Sequence, residues 1–137
     1  MDFNRQENEY ITNLAEAFGA EKLNVTNLSF IIYVPHKDRH DKPITNYEEW
    51  INYFIELLSS INGGTTTVKA YGSWLENKLL IHENSSLIES FIFDGNKFFN
   101  YLPKIKEAMN NFGKKTNQAA VAFMYDGLFF TKTNYED

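Results

Sequence analysis

The residues best suited to chemistry lie in one segment of the chain, between Thr66 and Glu83. Glu83 lies in an apolar strand context, with Leu79-Leu80-Ile81 shortly before it and Leu87-Ile88 shortly after it. Burial in such a context disfavours the charged carboxylate and raises its pKa, as a general acid or base requires. If Glu83 lies on the open face of a sheet, it can line a small-ligand site with Thr66, Tyr71 and Trp74. The alternative is a solvated or hydrogen-bonded structural glutamate.

Histidines are present but do not form a recognisable reactive set. His82 precedes Glu83, and adjacent side chains of a strand point to opposite faces, so the two do not form a dyad. His36 and His40 lie among acidic residues and are weak candidates for a metal site. Metal ions need ligands held in a fixed geometry, so we interpret this segment as a solvated loop and predict no metal and no cofactor.

The glycine-rich segment from Gly63 to Trp74 superficially resembles a phosphate-binding loop. Such a loop needs a strand before the glycines and a helix after them, so that amide groups face the anion. Here a helix pattern comes before the glycines and a strand pattern after them. We therefore predict a helix cap followed by a strand. Gly72 is expected to adopt a positive φ angle or to allow another backbone to approach closely.

Composition excludes several classes of function. The chain has 137 residues with 43% apolar content, enough for one domain with its own core. It has no cysteine, which removes disulfides, thiolate nucleophiles and cysteine-rich zinc sites. A net charge of −5, with only Arg5 and Arg39 as arginines, disfavours nucleic acid as a partner. No leader pattern and no membrane-spanning stretch is seen, so a cytoplasmic location without membrane contact is expected.

Hydrophobic periodicity predicts the elements that position these residues. A leading helix over roughly Glu7–Phe18 ends at Gly19, and a strand over 27–34 is followed by a polar loop over 36–45. The second helix begins at a capping box, with Asn46 as the cap, and carries its apolar residues on one face. Those residues are Trp50, Ile51, Phe54, Leu57, Leu58 and Ile61.

The second half of the chain predicts strands around one more helix. Strands are expected over 65–71, 79–83 and 87–93, with a turn over 72–78 and a bulge or bend at Asn84–Ser86. A helical stripe then runs from Phe98 to Phe112 and ends at Gly113; Pro103 lies either in its first turn or at a kink. The last two strands, over 119–125 and 128–131, flank an Asp126-Gly127 hairpin turn.

This order of elements predicts a single α+β domain over residues 1–137. Without the leading helix (1–19) and the terminal hairpin strand and tail (126–137), the order over 27–125 is βαββαβ. That is the ferredoxin-like arrangement, an antiparallel sheet with two helices on one face.

The chain also resembles an uncharacterised family of small bacterial ferredoxin-like domains. The resemblance rests on Gly64-x-Thr66, Gly72-x-Trp74, Glu83-x-Ser85 and Gln118-x-x-Val121, in this order. It implies the same fold as the periodicity and no activity, because the family is one of unknown function.

Two functional hypotheses follow. The leading one is a non-enzymatic binding protein, with an enzyme disfavoured by the lack of a recognisable catalytic set. Its sharpest form is an accessory protein of a phage or mobile element that sequesters or inhibits a host factor. Its partner would be a protein or a small molecule, and a homo-oligomer is one form of it. The alternative is a small enzyme that uses Glu83 as a general acid or base in a pocket with Tyr71 and Trp74.

Overall fold

The structure, a computed structural model, describes residues 3–21 and 28–136. Its helices and strands are, in chain order, α1 (Phe3–Phe18), β1 (Ser29–Pro35), α2 (Tyr47–Asn62), β2 (Thr66–Glu76), β3 (Leu79–Phe91), α3 (Gly95–Asn100), α4 (Leu102–Lys115), β4 (Val121–Tyr125) and β5 (Leu128–Lys132). The predicted start of the first strand at Asn27, and residues 1, 2 and 137, lie outside the described residues.

The five strands form one antiparallel sheet in the order β2-β3-β1-β4-β5. Without β5 the order is β2-β3-β1-β4, so each helical connection leads to a strand that is not the immediate neighbour of the one before it. This is the layout of the βαββαβ core, and the predicted α+β fold with a leading helix and a terminal hairpin strand is confirmed.

The core lies between one face of the sheet and the helices α2, α3 and α4. Alternate residues of β1 are buried, as expected for a strand with one covered face; these are Phe30, Ile32 and Val34. The predicted apolar face of α2 supplies most of the opposing surface, with Phe54 and Leu58 only 1% exposed. Burying a large apolar side chain contributes about 1.5–3 kcal/mol, so these residues dominate the stability of the domain.

The β2–β3 hairpin is longer and more regular than the sequence predicts. Strand β2 continues to Glu76 through the predicted turn over 72–78, and the turn is Asn77-Lys78, with φ angles of 50° and 67°. The predicted bulge at Asn84–Ser86 is wrong, since these residues pair one-to-one with Lys69–Tyr71. The outer part of the hairpin is exposed on both faces, so it does not need the apolar alternation on which the prediction relied.

The predicted second helical stripe is divided into α3 and α4 at Tyr101, and Pro103 lies in the first turn of α4, as one of the two alternatives required. Gly113 does not end this helix, which continues to Lys115. A Cβ atom at Gly113 would fall within the ring of Tyr135, so glycine is required there for close packing and not as a helix terminator.

Helix termini follow the predictions in part. Gly19 and Gly63 both have positive φ angles at the ends of α1 and α2, as predicted for C-terminal caps. Asn46 holds the N-cap position of α2, but its side chain makes no capping hydrogen bond, so the predicted capping box is not formed. Along α1, the apolar stripe of Tyr10 and Phe18 is mostly exposed. Within the described ranges, no helix combines the length and apolar character needed to cross a membrane.

Candidate functional site

The register of the β2–β3 hairpin determines which candidate residues share a face. Glu83 pairs directly with Gly72, and Trp74 pairs with Ile81, the residue two positions before Glu83. Partners in an antiparallel pair point to the same side, and successive residues alternate. Glu83 and Trp74 therefore lie close together on the face of the sheet opposite the buried face of β1. We call this side the open face.

Glu83 is only partly exposed, although the hairpin around it is largely in contact with solvent. Burial raises the pKa of its carboxyl above the usual value, and the negative charge of Asp41 raises it further. Among the described residues no cation forms an ion pair with Glu83. Asp41 is itself paired with Lys37, at 3.3 Å, so in the described part of the chain Glu83 is the carboxylate of this pair that has no cation beside it.

Gly72 leaves open space beside this carboxyl. Its φ angle is not positive, and a Cβ there would meet only the backbone oxygen of Glu83, at 3.8 Å, an ordinary contact. Both roles predicted for Gly72 are therefore wrong. What the glycine does is leave the position across from Glu83 without a side chain. Trp74, 44% exposed on the same face, adds an aromatic surface next to that space.

Tyr71 lies on the opposite side of the hairpin from Glu83, among different neighbours. Its ring stacks on His82, with centroids 5.2 Å apart and planes inclined by 13°. The hydroxyl of Ser73 is 2.8 Å from Nδ1 of the same histidine. Tyr71 therefore belongs to an exposed Tyr-His-Ser cluster and not to the surface around Glu83.

Thr66 shares the open face but is distant from Glu83. It pairs with Glu89, six positions further along β3. At about 3.3 Å per residue that separation is about 20 Å, more than the span of a small-ligand site. The ligand-binding role of the four candidates stays a prediction, and the geometry brings together only Glu83 and Trp74 among them.

The two candidate metal ligands have different surroundings. The His36 ring packs on Tyr47 at 4.1 Å between centroids, whereas His40 is exposed. Burial, helped by the charge of Lys69, lowers the pKa of His36. Between residues 3 and 21 and between 28 and 136, no three histidine or acidic side chains come together as a metal site would require.

The loop that carries Asp41 is fixed at its base. Asp38 accepts backbone hydrogen bonds from His40 and Lys42 through one carboxylate oxygen. The guanidinium of Arg39 donates to the backbone oxygen of Gln118 at 2.9 Å, and the Gln118 amide donates to the backbone oxygen of Lys37 at 3.1 Å. These bonds join the loop to the chain after α4 and hold Asp41 near Glu83.

Sequence reasoning placed Asp41 among the acidic residues of the histidine loop and missed its approach to Glu83. It also missed the contact of Ser73 with His82 and the space at Gly72. The useful signal was the Asn77-Lys78 turn, because counting outward equally from it pairs Gly72 with Glu83 and Ser73 with His82. The prediction placed a longer turn there and so lost the register. The approach of Asp41 to Glu83 depends on loop contacts distant in sequence and had no local signal.

Solved structures of other proteins have the same fold as this chain. One is a phage SAM lyase in complex with S-methyl-5'-thioadenosine, with a TM-score of 0.57 and 17% identity, covering 83% of this chain and 95% of that chain. A second is a phage SAM lyase in the apo state, with a TM-score of 0.55 and 20% identity, covering 83% of this chain and 94% of that chain. No family model and no curated protein matches the chain, so the resemblance to an uncharacterised bacterial family stays a prediction.

These neighbours contradict the leading functional hypothesis. Both of these neighbours are SAM lyases, so the interpretation of the chain as a non-enzymatic binding protein, and the view that an enzyme is disfavoured, are corrected. The enzyme alternative is better supported. The first neighbour binds a small molecule and both are phage proteins, which agrees with the expected small-molecule partner and with the expected phage character.

Proposed function

We propose that this chain is a phage-type lyase that cleaves S-adenosylmethionine, with Glu83 as its central catalytic residue. The observation that carries the proposal is the partly buried carboxyl of Glu83, whose pKa is raised, which faces open space at Gly72. The likeness in fold to phage SAM lyases supports this class of reaction. Fold alone does not determine function, so the argument rests on the chemistry of this site.

The charge of the site suits a cationic substrate. S-adenosylmethionine carries a sulfonium and an α-ammonium group. The site offers Glu83, which has no ion-pairing cation among the described residues, and near it Asp41, which is paired with Lys37. A bound cation would offset the repulsion between the two carboxylates. The exposed Trp74 ring can stack on the adenine or contact the sulfonium through a cation–π interaction.

The reaction breaks the bond between sulfur and the γ-carbon of the four-carbon amino-acid part. Both electrons stay on sulfur, which becomes the neutral thioether of S-methyl-5'-thioadenosine. The four-carbon fragment leaves without water, either by closing on its own carboxylate or by losing a β-proton as an alkene. In its ionised form Glu83 holds the positive charge of the substrate in the first route and also accepts the proton in the second.

The test is to incubate the purified protein with S-adenosylmethionine and to measure S-methyl-5'-thioadenosine by chromatography. We expect product with the native chain and a loss of at least about a hundredfold in Glu83→Gln. Glu89→Gln is the matched control, because Glu89 lies on the same strand and face and is also partly buried. Absence of product from the native chain, or equal loss in both variants, would contradict the proposal. Separation of the four-carbon products identifies the route.

A further inference from the structure

A cleft between α2 and α4 has the features of a second small-molecule site. Its volume is about 290 Å³, and it is lined by Asn46, Glu49, Trp50, Tyr53, Asn111 and Lys115. The α2 residues among these recur at helical spacing and so line one side of that helix, and the two α4 residues are one turn apart. The cleft lies in the helical layer, whereas Glu83 lies on the open face, so the sheet separates the two.

The floor of the cleft is aromatic. Trp50 packs edge-on against Phe112, at 5.4 Å between centroids, and against Tyr53, at 5.8 Å. It is only 9% exposed, and its indole nitrogen has no hydrogen-bond partner among the described residues. Its indole N–H therefore gives a signal that reports on changes in the floor of the cleft.

The rim of the cleft carries opposite charges that are not paired with each other. Glu49 lies in the first turn of α2 and Lys115 is the last residue of α4. Among the described residues neither forms an ion pair. The Asn46 side chain, which at an N-cap position usually bonds to the helix, makes no such bond and is available to a ligand.

From this arrangement we propose that the cleft binds a free α-amino acid with an apolar side chain. The ammonium group of the ligand pairs with Glu49 and its carboxylate with Lys115, which satisfies both unpaired charges together. The apolar side chain lies on the rings of Trp50 and Tyr53. A volume of about 290 Å³, at the lower limit for small-molecule pockets, is sufficient for a free amino acid.

The test uses L-methionine as the probe and NMR spectroscopy of the full chain, following the indole N–H signal of Trp50. Saturable movement of this signal is expected below about 10 mM ligand, a weak but specific affinity. Two analogues provide the comparison: 3-methylthiopropylamine lacks the carboxylate, and 4-methylthiobutanoate lacks the ammonium. Each is expected to bind at least about tenfold more weakly, because one of the two rim charges is left unpaired.

Single substitutions test the two rim charges, Glu49 and Lys115, one at a time. Glu49→Gln is expected to lower the affinity for L-methionine at least about tenfold and to leave the affinity for 4-methylthiobutanoate unchanged. Lys115→Met is expected to lower the affinity for L-methionine by a similar factor and to leave the affinity for 3-methylthiopropylamine unchanged. Glu56→Gln and Lys114→Met, exposed residues on the same helices, are the controls and should bind as the native chain does. No saturable movement, or equal affinity in the rim variants and the controls, would overturn the proposal. Glu83→Gln should still bind L-methionine, so this result is independent of the lyase activity.

Discussion

Gly72 is the direct cross-strand partner of Glu83, so the position beside this carboxyl holds no side chain. In an antiparallel pair the two Cβ atoms are normally about 4.5–5.5 Å apart, and any larger residue at position 72 would cover the carboxyl. Glycine in a strand usually lowers stability by about 0.5–1 kcal/mol relative to alanine. Nothing in the backbone at Gly72 requires it, which points to function as the reason for the residue.

Gly72→Val is therefore expected to keep or raise the melting temperature and to lower the lyase activity, by at least about tenfold if the space admits substrate. Gly72→Ala should give an intermediate loss of activity. Thermal denaturation and the product assay on the same samples check this. If Gly72→Val retained full activity, the substrate would not occupy the space opposite Glu83.

Asp41 should shift the pH dependence of the reaction. Its negative charge contributes to the raised pKa of Glu83, so Asp41→Asn should lower that pKa. Because the ionised form of Glu83 is the active one, kcat/KM rises with pH through this pKa, and the acidic limb of the variant should move to lower pH. Asparagine tolerates the positive φ angle of 64° at this position, and the ion pair with Lys37 that is lost is exposed and weak, so the loop should be preserved. Asp126→Asn, an exposed turn residue, is the control and should leave the limb unmoved.

Elements that pack against the core were easier to predict from the sequence than elements exposed on both faces. Helix α2 was predicted correctly because one-sided burial leaves a strong period in residues such as Phe54. Strand β1 was predicted correctly because its run of β-branched and aromatic residues, such as Ile32, stops at Pro35. The outer β2–β3 hairpin was not predicted correctly, since both of its faces are exposed and its sequence has no clear alternation of apolar residues. The helix end was misplaced at Gly113 because the reason for that glycine, the ring of Tyr135, lies far along the chain.

The candidate site, too, was predicted only in part from the sequence. The chemical type of Glu83 was recognised from its apolar neighbours, but its partners depend on register and on a distant loop. One misplaced turn moved Tyr71 to the wrong face in the predicted site and concealed Gly72 as the partner of Glu83.

The Asn77-Lys78 turn contains a strain that can be removed. Both residues have positive φ angles, which the tight hairpin requires and which lysine adopts at a cost. Lys78→Gly should therefore stabilise the chain by about 0.5–1 kcal/mol, since Asn-Gly is the preferred pair for this turn. Chemical denaturation measures the change. Lys114→Gly, in the last turn of α4, is the opposite control and should destabilise by a similar amount.

The effects of substitutions at Gly113 and Tyr135 on the free energy of unfolding should depend strongly on each other. Alanine favours a helix interior over glycine by about 1 kcal/mol, so Gly113→Ala would stabilise α4 if nothing opposed it. Here the added Cβ would overlap the ring of Tyr135, whose hydroxyl donates to the backbone oxygen of Gln118 at 3.0 Å. Gly113→Ala alone should therefore destabilise the chain by about 1–3 kcal/mol.

In the background of Tyr135→Ala the same change should become neutral or stabilising, because the ring is gone. A double-mutant cycle in the free energy of unfolding measures this reversal of sign. Additive effects of the two substitutions would mean that the ring does not pack against Gly113, and that glycine there has another cause. The cycle also reports on the site, because Gln118 joins Tyr135 to the loop that holds Asp41. Tyr135→Phe, which retains the ring and removes the hydroxyl, should preserve the clash with Gly113→Ala and lose only the bond to Gln118.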